Sequence, residues 1–124
     1  MTGRLTRAFG YALTGWARAW RGQPNLRVEI AIGLAAVALA AWLAAPMAPI
    51  VLAIGLVLAM ELANSAVEAT VDLLSPERRD EAAAAKDLAA GAVLMASMAA
   101  LAVGLIVLGP PLLARLTAWL GGAA

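Results

Sequence analysis

The sequence contains neither cysteine nor histidine. Without cysteine there is no disulfide framework, no zinc knuckle and no thiol nucleophile. Without histidine the commonest general base and metal ligand is missing. Any catalysis therefore rests on carboxylates, amides, hydroxyls, lysine or arginine. Charge is scarce too, at 14% of residues, and aromatics supply only 5%, whereas 64% are hydrophobic. A soluble domain of 124 residues needs more charge to cover its surface, so lipid is the expected solvent. Neither a GxxxxGK[ST] loop nor a GxGxxG turn is present, which removes the standard phosphate cradles. The first 21 residues lack the short basic head and apolar run of a leader, and are expected to belong to the mature protein.

What is present is organised by hydrophobic periodicity. Leu5, Phe9, Ala12, Leu13, Trp16 and Trp20 fall in one narrow helical sector, with Arg7, Tyr11, Thr14, Arg18 and Arg21 on the other side. Tryptophans facing arginines across a helix predict a surface helix over about residues 4–21, lying in the membrane interface. A soluble core helix is the plainer alternative. Gly22, Gln23 and Pro24 supply a turn.

From Ile30 to Met60 there are 31 residues without a charge, interrupted by Pro46 and Pro49. A hydrocarbon core takes about 20 residues per helix, so this run predicts two spans joined by a tight hairpin. The first is placed at about 25–45 and the second at about 49–73, with Pro49 where its missing N–H is harmless. Ser75 and Pro76 read as the N-cap and first position of a further helix, at about 76–113. Its uncharged part, Leu88 to Leu113, forms the third span and is expected to close at Gly109-Pro110-Pro111. Ala92, Ala96, Ala100 and Gly104 line it at four-residue intervals, a small-residue stripe that lets helices approach.

The fold class expected is an all-α integral membrane protein, a single domain with three transmembrane helices and an N-terminal amphipathic surface helix. Basic residues set its orientation. Arg4, Arg7, Arg18, Arg21 and Arg27 precede the first span, and Arg78, Arg79 and Lys86 lie in the second connection. The hairpin has none and the tail has Arg115 alone, so the N-terminus is expected in the cytoplasm.

The second span carries the candidate chemistry. Glu61 and Asn64 lie at membrane depth, Glu68 at its edge and Asp72 beyond, all within an arc of about 80° on one helical face. A carboxylate inside a bilayer costs about 2.5–3.5 kcal/mol on insertion scales, so such residues are candidates for function. A carboxyl that merely fixes helix packing is the bland alternative for Glu61, interhelical hydrogen bonding that for Asn64, and simple solvation that for Glu68 and Asp72. Glu61 and Glu68 lie roughly 10 Å apart along the axis, which suits two tasks better than one bidentate site. The deeper Glu61 is placed to accept a proton from a buried hydroxyl, and the shallower Glu68 to hold a hard cation such as Mg²⁺. Lys86 either meets phosphate at the mouth of the third span or snorkels. The residues alone stop at an acidic pocket in lipid, suited to a cation, a proton or a polar headgroup.

The run Glu61-Leu-Ala-Asn64-Ser-Ala-Val-Glu68-Ala-Thr-Val-Asp72, followed by Ala85-Lys86-Asp87, resembles the bacterial diacylglycerol kinase and undecaprenol kinase family. The likeness extends to Arg4, Gly10-Tyr11, Gly15, Trp20 and Asn25-Leu-Arg27 in matching order, and covers about residues 4–108. It implies a homotrimer in the bacterial inner (cytoplasmic) membrane that transfers the γ-phosphate of MgATP to a lipid hydroxyl, with no nucleic acid involved. Diacylglycerol is the first expected substrate and undecaprenol the alternative. The resemblance implies Glu61 as catalytic base with Asn64 supporting it, and Glu68 as metal ligand. It implies Arg4, Tyr11, Glu68, Asp72, Glu77, Lys86 and Asp87 at the nucleotide, and Glu61, Trp42 and Trp20 at the lipid. There are two departures. Gln23 stands where the family often has a second metal-binding glutamate, and a neutral amide is a weaker Mg²⁺ ligand; Glu29 lies nearby. Ala12 stands where some diacylglycerol-preferring members have serine, which leaves the lipid open. Two readings of other classes remain: a small cation- or proton-coupled membrane protein with Glu61 as relay, and an inert membrane scaffold.

Overall fold

A computed structural model describes residues 2–122 except Pro76 and Arg78. Four helices account for almost all of it: α1 (Thr2–Gly22), α2 (Pro24–Leu43), α3 (Met47–Leu74) and α4 (Asp80–Gly121). The last three are long and apolar enough to cross a membrane. At 1.5 Å per residue they are about 30, 42 and 63 Å long, against a hydrocarbon core of about 30 Å. The chain is thus an all-helical membrane protein.

Each break has a local cause. Between α1 and α2 stands Gln23, in an extended conformation, with Pro24 opening α2 at a position that needs no N–H donor. The turn after α2 puts Ala44 in the left-handed region at φ 53°. This turn lets Ala44 N–H reach the Ala41 carbonyl at 3.2 Å and Ala45 N–H reach the Ala40 carbonyl at 2.9 Å. Pro49 falls in the first turn of α3, where its N–H would lack an intrahelical partner anyway.

Two expected boundaries are corrected. Ser75 is not the N-cap of the last helix but the end of α3: its N–H donates to the Val71 carbonyl at 2.8 Å and its hydroxyl to the Glu77 carbonyl at 3.0 Å. Nothing before Pro76 breaks the α3 ladder, and a residue preceding proline is pushed towards extended backbone, as Ser75 is at φ −134°, ψ 76°. Pro76 and Arg78 lie outside the described residues. Helix α4 starts at Asp80, where Asp80 and Glu81 put negative charge in its first turn. Nor does α4 close at Gly109-Pro110-Pro111; it continues to Gly121. Two missing donors cost a helix two hydrogen bonds, but in lipid no water competes for the remainder.

Packing is closest at the end of the bundle where α2 turns into α3. Ala40, Leu43, Ile50 and Leu108 form a buried cluster, with Val107 and Leu112 against it. α3 pairs most extensively with α4, and buried Ala96 belongs to the small-residue stripe. α2 meets α3 at Gly33, where an added Cβ would stand 3.0 Å from Ile54 Cγ2. α1 docks through its last turns, where Ala19 is buried, while Leu5, Phe9, Leu13 and Trp20 are exposed.

Replacing Gly33 with valine is expected to force α2 from α3 and cost about 1–3 kcal/mol of stability, measured by denaturing the protein in mixed micelles. In the same assay Ala44→Gly is expected to gain about 0.5–1 kcal/mol, because glycine adopts the left-handed turn without a Cβ penalty.

Candidate active site

The acidic face of α3 is graded in depth. Glu61 is buried, at 4% exposure, Asn64 and Glu68 are half-buried, and Asp72 is exposed. The helical repeat dictates the shared face, and α2 and α4 cover its inner end. A single chain already buries Glu61.

Asn64 Nδ2 donates to Glu68 Oε1 at 3.1 Å, so the amide holds the carboxylate and leaves its second oxygen unused in that bond. Ser65 hydroxyl donates to the Glu61 carbonyl at 2.9 Å, within the helix. One turn beyond Glu68, Lys86 Nζ donates to Asp72 Oδ1 and forms an ion pair across the α3–α4 connection. Two of the seven residues expected at the nucleotide, Asp72 and Lys86, are therefore brought together at the exposed end of the stripe. Asp87 and Glu77 are exposed near the same connection.

Glu29, on α2, was left open by the sequence and proves to be a central member. Its carboxyl lies within electrostatic reach of Glu61, which in turn lies within reach of Glu68. Glu29 Oε2 and Asn64 Oδ1 are buried without a hydrogen-bond partner. Each is a buried acceptor that the chain itself leaves open to a donor. The sequence signal was thin: Glu29 is the last charge before the long apolar run, and nothing in one chain's periodicity says which helix it will face.

Glu29 also lines an apolar groove of about 330 Å³ between α2, α3 and α4, with Gly33, Ala36, Ile54, Val57, Ala100 and Gly104 along its walls. Its wall is built of small residues on α2 and α4 facing branched ones on α3. The groove runs from the carboxyls towards the buried cluster at the α2–α3 turn.

Other expected residues lie elsewhere. Gln23 lines a second cavity with Trp16, Arg18, Leu62 and Ser65, a quarter-turn round α3 from the acidic face, and Glu68 is not among its walls. Arg4 and Tyr11 are exposed on α1, and Ala12, next to Tyr11, lines the second cavity with Ala69 of α3. Trp20 is half-exposed near that end, whereas Trp42 lies at the opposite end of α2, about 20 Å along the axis from Glu29.

The sequence matches the family described as prokaryotic diacylglycerol kinase over residues 10–108. It is similar to a diacylglycerol kinase of Synechocystis sp., with 42% identity over 110 residues, which is 86% of this chain and 63% of that protein. Against the diacylglycerol kinase of Escherichia coli K12 the identity is 37% over 100 residues, 78% of this chain and 82% of the relative. The undecaprenol kinase of Bacillus subtilis is 43% identical over 63 residues, 51% of each chain. The chain thus spans less than two thirds of the Synechocystis relative but most of the E. coli one.

The Asp72–Lys86 pair is half-open to solvent, so its coupling is expected to be small. A double-mutant cycle with Asp72→Asn and Lys86→Gln, read by unfolding in mixed micelles, should give about 0.2–1 kcal/mol.

Proposed function

The chain belongs to the prokaryotic diacylglycerol kinase family, and from that premise we propose that it transfers the γ-phosphate of ATP to the hydroxyl of diacylglycerol, giving phosphatidic acid. The observation that carries this reading is the graded acidic face of α3. A buried Glu61 lies beside a groove for an apolar chain, and Glu68 and Asp72 lead from it to water. A lipid hydroxyl and a nucleotide phosphate have opposite solvent preferences, and this arrangement gives each its own approach.

In the proposed reaction the acyl portion lies in the groove with its hydroxyl towards Glu29 and Glu61. Glu61 takes the hydroxyl proton as the oxygen attacks the γ-phosphorus; the bond to the bridging oxygen breaks and ADP leaves. Asn64 holds Glu68 in place through the bond at 3.1 Å. Glu68 and Asn64, with Glu29 nearby, offer hard oxygen donors that would hold Mg²⁺, which would supply charge neutralisation at the phosphates when bound. Lys86 exchanges Asp72 for phosphate when nucleotide arrives, with Asp87 and Glu77 beside it. Gln23 is the weaker candidate for the metal.

Arg4 and Tyr11 are exposed on α1, and in this proposal they reach the nucleotide of a neighbouring copy in a homotrimer. Trp20 and Trp42 are proposed to touch lipid at the two ends of the groove. α1 lies along the inner membrane surface with its tryptophans in the acyl boundary, and the arginine-rich N-terminal side is cytoplasmic.

Label from [γ-³²P]ATP should appear in extracted lipid only with Mg²⁺ present. Diacylglycerol and undecaprenol supplied side by side decide the acceptor, since a relative named for each is similar to this chain. Glu61→Gln is expected to lower turnover by about 10²–10⁴ while the protein stays folded. No labelled lipid from well-folded wild-type protein would overturn the proposal, and a cation relay or a scaffold would then fit better.

A further inference from the structure

α4 changes character after its paired prolines. From Leu88 to Leu108 it is apolar all round, as a helix surrounded by lipid and other helices should be. Beyond Pro111 the apolar residues gather on one side. Leu112, Leu113, Leu116, Trp119 and Leu120 fall within an arc of about 120°, and Ala114, Thr117, Ala118 and Gly121 take the opposite side. Thr117 hydroxyl donates to the Leu113 and Ala114 carbonyls, both at 3.0 Å, so its polar group is satisfied locally.

This segment is the part of the helix beyond the family match, which ends at residue 108. It adds about 20 Å of helix to a span that already reaches the buried cluster through Leu108. Leu113, Trp119 and Leu120 are each more than 60% exposed. Standing upright past the membrane they would sit in water; continuing a span, Thr117 and Arg115 would sit in hydrocarbon. Arg115 settles at the boundary of the apolar arc, with its guanidinium 4.6 Å from the centre of the Trp42 ring. Trp42 ends α2 next to the turn, and Trp119 follows Arg115 by one helical turn. Two tryptophans flanking an arginine at one level is the composition of a lipid headgroup boundary.

We propose that residues 113–121 form an interfacial anchor on the membrane side of the α2–α3 turn, with Leu113, Leu116, Trp119 and Leu120 in the acyl chains and Arg115, held on Trp42, level with the lipid phosphates. Its partner is the phospholipid surface. Pro110 and Pro111 withdraw the donors that would serve the Ile106 and Val107 carbonyls, so tilting the segment beyond them onto the surface costs less there than elsewhere in α4. The anchor fixes the height of α4 against α2 at the end away from Glu61.

The chain has no cysteine, so single cysteines report position directly. Full-length protein carrying Leu113→Cys, Leu116→Cys or Leu120→Cys is compared with Ala114→Cys, Thr117→Cys or Ala118→Cys. All are reconstituted in phosphatidylcholine–phosphatidylglycerol vesicles and reacted with a polar maleimide present on both sides. The second group is expected to react about tenfold faster than the first. Uniformly fast labelling, the mark of a helix standing in water, overturns the proposal. Uniformly slow labelling, the mark of a continued span, overturns it equally. Six positions are read, so the loss of any one variant to misfolding leaves the pattern legible.

Discussion

A carboxyl group held below the lipid headgroups is the constraint from which the rest of this structure follows. Placing one there costs about 2.5–3.5 kcal/mol by insertion scales, so the surrounding helices must offset the loss. They do so by burying Glu61 almost fully between α2, α3 and α4. Close approach is seen where α2 meets α3, at Gly33 against Ile54, whereas an added Cβ at Gly91 or Gly104 of α4 would meet nothing within 4 Å. In lipid, apolar side chains gain nothing by leaving their solvent, so close packing and polar contacts supply the association instead.

Burial alone would make Glu61 inert. The face it shares with Asn64, Glu68 and Asp72 carries it outwards in steps of increasing exposure, and the ion pair of Asp72 with Lys86 ties the wet end of α3 to α4. From the other side Glu29 joins Glu61 to an apolar groove. A phosphoryl transfer between a soluble donor and a lipid acceptor needs both approaches to meet at one carboxyl. Glu29 is common to both, since it lines the groove and lies within electrostatic reach of Glu61.

Much of this was legible in the sequence, and the failures are instructive. The three spans follow from length and apolarity, and the acidic face from helical spacing, because both depend on residues within one helix. Glu29 could not be assigned, because its role depends on which residues of α3 it faces. Ser75 was misread because serine before proline suits a helix start and an extended helix exit alike. The prolines at 110 and 111 were read by their behaviour in water, where they end helices, whereas in lipid a helix has no better partner to turn to.

The two ends of the bundle have been given opposite physical tasks. At the α2–α3 turn, Ala40, Leu43, Ile50 and Leu108 make the largest dry contact in the chain. At the other end the contacts are polar, graded and partly unsatisfied, with orphaned oxygens on Glu29 and Asn64. Had the polar end been packed as densely, no substrate would enter; had the apolar end been as open, nothing would hold Glu61 at its depth. A closely packed end and a receptive end together hold Glu61 in place between the helices. On that view the tail of α4 belongs to the closely packed end, since whatever steadies α4 beside Trp42 also steadies the depth of Lys86 at its other end.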